Sequence, residues 1–227
     1  MSEIVLRERR KKHLVSPKSY NRNEENLMNY ITQVNQKWGV CGFVSALLAL
    51  YDHDEAFRNK LDAIHERGHY NTRVIADMST YLVLLKSENE DLLTEIREFT
   101  NSFGNVYRTN NNQTLIERTQ NYARLVGKQA PLEKLPAFGI AMPPQGVQEY
   151  LSRNYEINSN LVQEDRNIIC GLKGVGKGLY NGLKHWVYIN KKGQVFTWGQ
   201  QYNNFQDFAD QHRNLVQMIF RIQLATA

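Results

Sequence analysis

Residues 36–51 read QKWGVCGFVSALLALY, and the fold turns on how this stretch is parsed. A glycine-bounded loop gives way at Cys41 to a run with helical spacing. Phe43, Leu47, Leu50 and Tyr51 share one face, and Val44 and Leu48 share the adjoining one. A helix that is apolar nearly all round belongs in a core. Cys41, one of two cysteines in the chain, therefore stands at the N-terminus of a buried helix. Free backbone N–H groups and the helix dipole favour a thiolate there. The plainer reading is a small buried thiol that opens a core helix.

Working outward, Leu27, Met28, Ile31 and Val34 predict a short amphipathic helix before the loop, and residues 1 to about 25 read as a flexible basic segment. After the cysteine helix comes a polar connection. TRVIADMSTYLVLLKSE and NEDLLTEIREFTNSF then predict two helices, with Asn89 capping the second. RTNNNQ is a loop, and TLIERTQNYARLVG a helix ending at Gly127. Four of the five prolines lie in QAPLEKLPAFGIAMPPQGV, which predicts irregular chain with a short strand near Ala137–Ala141, and a further helix begins after the prolines.

The last third changes character. NIICGL, HWVYIN and GQVFTW are short strands, the last two joined as a hairpin through NKKG. A fourth, VQMIFRIQL, alternates Val216, Met218, Phe220 and Ile222 against Gln217, Arg221 and Gln223. Helices first and an antiparallel sheet afterwards make the fold class α+β. A single domain over 26–227 is expected, with a helical insert at about 70–130.

Composition narrows the function. The chain has 227 residues, 41 % hydrophobic and 22 % charged, which are globular proportions. No run approaches the roughly 20 apolar residues of a membrane span, and the N-terminus lacks the layout of a Sec signal. The net charge of +5 owes much to RERRKK. Without interleaved aromatics that cluster reads as a solvated tail, so no nucleic-acid partner is expected. Cys41 and Cys170 fit neither a disulfide framework nor a four-ligand zinc site, and a reducing compartment is the simpler reading. His65 and His69 have only Glu66 beside them, so no metal site is expected either.

A thiol nucleophile needs a base. His185 opens the alternating run HWVYINKKGQVFTW, where a rigid strand would hold it; His212 sits in the charged stretch DFADQHRN and is set aside. Gly39 and Gly42 flank Cys41 closely, leaving room for a substrate backbone and an oxyanion. Gln36, Asn35 and Gln33 are available upstream as oxyanion donors.

These residues resemble the papain-like cysteine peptidase superfamily, most closely the compact bacterial peptidases with a Gln…Cys-Gly helix start, a later strand opened by histidine, and a next strand ending in Asp or Asn before a glycine-containing turn. The resemblance covers residues 33–51 and 183 to about 210. It implies a papain-like fold, with Cys41 as nucleophile, His185 as general base and Gln36 as oxyanion donor. It also implies an amide of a protein or peptide as substrate, attacked by a protease or deamidase with no cofactor. The third position departs from the pattern: FTWGQ offers Thr197, with Gln200 the nearest carboxamide. Either accepts a hydrogen bond from imidazole, but neither supplies negative charge. The alternative is a degenerate site on a protein-binding module. Trp38 and Trp186 read as packing or as cleft walls, and Gly39 and Trp198 complete the candidate substrate contacts. The resemblance extends to location: cytoplasm, or export as an effector without a Sec signal.

GLKGVGKG at 171–178 nearly spells a phosphate loop, but Gly178 replaces the magnesium-binding hydroxyl and the run leads towards a strand. A glycine-rich flap bordering the cleft is the preferred reading. Cys170, just before it, is expected to be a strand residue.

Overall fold

The run that opens at Cys41 is helical to His53 (α1), and every residue from Gly42 to Tyr51 is buried. The computed structural model describes Met28, Ile31, Thr32, Val34 and residues 38–66, 70–128, 137–215 and 217–225. The basic N-terminal segment lies outside them, and the four isolated residues are helical and buried.

A short strand Trp38–Gly39 (β1) precedes α1 and pairs in parallel with Phe138–Gly139 (β2). The polar connection after α1, for which no element was expected, is a helix, Glu55–Glu66 (α2). Its N-terminus is capped by Asp54, whose Oδ1 accepts from the Phe57 amide at 2.9 Å. The insert follows as Tyr70–Glu88 (α3), Glu90–Asn101 (α4) and Asn112–Gly127 (α5). Asn89 caps α4 as its sequence predicts, accepting from the Leu92 amide at 3.2 Å, and Asn111 does the same for α5 through Thr114 at 2.8 Å. Pro144–Tyr155 (α6) starts on its proline.

The sheet is antiparallel, from Ser159–Leu161 (β3), Ile168–Lys173 (β4), Leu183–Ile189 (β5), Val195–Thr197 (β6), Gln200–Tyr202 (β7) and Gln217–Leu224 (β8), in the order β3-β8-β4-β5-β6-β7. A helix Phe205–Gln211 (α7) links β7 to β8. The α+β class holds. One face, with Trp186, Tyr188, Phe196 and Ile222, belongs to the large core shared with α1. There Phe43 meets Tyr150 and Tyr81 edge to face, at 4.8 and 6.0 Å between ring centres. Truncating such a ring costs about 3–5 kcal/mol. The other face carries Cys170, Leu172, Val187, Ile189, Val195 and Tyr202 under Phe208 of α7.

β8 does not keep the alternation its sequence suggests. A register shift between Gly171 and Leu172 skips Ile219, so Phe220 joins the large core while Met218 packs on the opposite face. Among the described residues no helix is long and apolar enough to cross a membrane.

Candidate active site

α1 begins without a side-chain cap: Val40 precedes it, and no acidic residue occupies its first turn. Its first-turn amides are left for another acceptor. The Cys41 sulfur takes that place, accepting from the backbone amides of Gly42 and Cys41 and from that of Trp186 on β5. β6 pairs with β5 only at Tyr188–Phe196 and Ile189–Val195. The two strands therefore part before Trp186, whose amide is free to donate to the sulfur. Trp186 follows His185, so the sulfur lies beside the peptide that joins the two.

His185 is 5 % exposed and its Nε2 lies 2.7 Å from Thr197 Oγ1, itself buried at the end of β6. That bond occupies Nε2 and leaves Nδ1 as the other ring nitrogen. Trp198 covers the pair, its ring stacked on the imidazole at 3.9 Å and 17°. It does so from an unusual backbone. Trp198 and Gly199 form the two-residue turn between β6 and β7, with φ of 47° and 73°, values that favour Asn, Asp or Gly at the first position. A tryptophan held there is strained, and the stacking contact accompanies that strain.

The electrostatics follow from burial. The Cys41 thiol is pushed up to about 11, burial outweighing the three amides. The imidazole of His185 is pushed down to about 3, first by burial and then by the neighbouring His212. At neutral pH the thiol and the imidazole are therefore both uncharged.

The other candidate residues separate clearly. Gln200 is exposed, its side-chain oxygen taken by the Tyr202 hydroxyl; it does not orient His185. Trp186, read as packing or cleft wall, is core: it is 1 % exposed and its Nε1 donates to Met142 O at 2.9 Å. Gly42 is needed for packing instead of substrate room, because a Cβ there would stand 3.0 Å from Met142 Cβ and 3.4 Å from Trp186 Cδ1. Gly39 is exposed, with its partner Gly139 pressed under Tyr107, whose ring an added Cβ would meet at 2.7 Å. Gln36, Gln33, Asn35 and the Trp38 side chain lie outside the described residues, as does His69. Cys170 is a buried strand residue, its thiol pushed up to about 12 by burial. Among the described residues no group of three metal-ligating side chains occurs.

The glycine-rich run is no phosphate loop. Gly171–Lys173 belong to β4, and the chain returns through a helical turn at Leu179–Gly182 into the antiparallel β5. Tyr180 in that turn donates to Glu95 of α4 at 3.2 Å and meets Phe99 edge to face at 4.9 Å. The helical insert thus borders the strand that carries His185.

Sequence reasoning set His212 aside. It lies 4.9 Å from the Trp198 ring, and its Nε2 is 2.8 Å from the Tyr202 hydroxyl. The available signal was helical spacing after an Asn cap: Asn204 starts α7, Phe208 faces inward, and His212 follows four residues later. No family model, curated protein or solved structure matches the chain.

Proposed function

We propose that the protein is a papain-like thiol enzyme acting on an amide of a protein or peptide. One arrangement carries the reading: a cysteine at an uncapped helix start, its sulfur beside the peptide joining His185 to Trp186, and His185 held by Thr197 through Nε2. The thiol proton passes to His185 Nδ1 as sulfur attacks the carbonyl carbon. As negative charge passes from sulfur to oxygen, the Cys41 amide is released from the sulfur to hold the oxyanion, with Gln36 as the second donor. Collapse expels the amine, which takes the proton from His185, and water then hydrolyses the thioester. A thiol near 11 beside an imidazole near 3 makes this a concerted transfer within a substrate-filled, water-poor site.

The same burial favours a second reading, a binding module on this fold that never turns over. The two separate in one experiment. The Cys170→Ser protein is incubated with a panel of peptide vinyl sulfones and its intact mass followed. An enzyme forms an adduct at Cys41 that depends on peptide sequence and is lost in His185→Ala. A binding module gives no adduct, or one indifferent to both.

A further inference from the structure

The sheet face turned away from α1 is only partly covered. Beside α7 a groove of about 550 Å³ opens between that helix, the β5–β6 turn and β8. Its floor is apolar, from Ile189, Met218 and Phe205. Met218 reaches it only because of the shift in β8, and it joins Arg221, which alternation with Ile222 and Phe220 already places on this face, opposite Cys170.

Its rim is cationic. Asp165 engages Arg221 at 3.0 Å. Arg166 lies along the β5–β6 turn, its Nε 3.4 Å from where a Cβ on Gly193 would stand, and Lys192 rises from the same turn. Among the described residues neither Arg166 nor Lys192 is paired with a carboxylate. Asn204 Oδ1 caps α7 at the Asp207 amide, so its NH2 end remains a donor at the rim.

We propose that this groove binds a phosphate ester with a flat apolar body, the chemistry of a nucleotide. Two adjacent unpaired cations match a doubly charged phosphate, and a guanidinium fork can take two of its oxygens. The Phe205 ring and its aliphatic neighbours suit a flat body, and the volume falls in the usual range for small ligands, about 300–1,000 Å³. The site is separate from the thiol chemistry and does not depend on it.

The test is thermal unfolding of the full chain in magnesium-free buffer with ADP, inorganic pyrophosphate, adenosine or hexaglutamate. Arg166→Gln/Lys192→Gln serves as the variant, since both side chains are exposed. ADP at ten times its dissociation constant should raise Tm by about 3 °C, pyrophosphate by less and adenosine not at all. The variant should bind ADP about tenfold more weakly. No shift with millimolar ADP overturns the proposal. So does an equal shift in the variant, or an adenosine shift as large as that of ADP. Stabilisation by hexaglutamate without ADP would overturn it in favour of an acidic protein segment.

Discussion

Replacing Thr197 by valine keeps the β-branched shape and removes the hydroxyl that holds His185. Thr197 is 2 % exposed, and the bond it makes is 2.7 Å long. Its loss strands Nε2 in a site where the imidazole is 5 % exposed. An orphaned buried polar group costs about 1–3 kcal/mol. For a chain of this length, the middle of that range lowers Tm by about 4–8 °C. The assay has two readouts, thermal unfolding and the tautomer of His185 by long-range ¹H–¹⁵N correlation. Accepting a thiol proton at Nδ1 requires the hydrogen on Nε2, with Thr197 as its acceptor. The wild type should therefore show a protonated Nε2, the Val variant a mixture, and Thr197→Ser most of the wild-type behaviour. A Val variant melting within about 1 °C of wild type, or a wild type carrying its hydrogen on Nδ1, would refute the reasoning.

Three further perturbations test the site from other sides. In the Cys170→Ser protein, Cys41 alkylation should stay slow at neutral pH and reach half its limiting rate near about 11, above the ordinary 9.0; a fast rate at pH 5 would mean a thiolate at rest. Trp198→Asn suits the turn but uncovers the imidazole, so an NMR titration should move His185 up from about 3 towards 6.5, and no movement would deny that Trp198 contributes to its burial. The same depressed value makes folding sensitive to acid. Between pH 6.5 and 3 the unfolded chain binds a proton that native His185 refuses, so stability is complete above 6.5 and falls as pH drops. Denaturant titrations across that window should show a shallower fall in His185→Gln than in wild type, and equal slopes would exclude His185 as the cause.

Much of the fold was legible because its signals were local. Asn89, Asn111 and Pro144 mark helix starts through their own side chains, and the unbroken apolar run after Gly42 marks burial. α2 escaped because EAFRNKLDAIHE is polar overall; its apolar face is thin, with Leu61 its one fully buried apolar residue, and Asp54 was an unrecognised cap. The three-residue strands β3 and β7 escaped because they are held by neighbours in the sheet rather than by an apolar pattern. In the candidate site, Cys41 and His185 stood out by their places at a helix start and a strand opening, and Thr197 entered only through the family resemblance. Their protonation was not legible, since desolvation depends on what packs around them. Nor was His212, which meets Trp198 only through the turn at Trp198–Gly199 and the return of α7. The reversal of Met218 and Phe220 depends on one skipped residue, which an alternating sequence does not reveal.

The place of β8 has a consequence for synthesis. The last described strand in chain order lies inside the sheet, hydrogen-bonded to β3 on one side and β4 on the other. A chain emerging from the ribosome can form α1 and the helical insert early, but β3 and β4 stay unjoined until β8 arrives, and long-range strand pairing is slow. The nascent protein therefore displays its apolar cysteine helix well before it owns the finished sheet whose core face covers that helix.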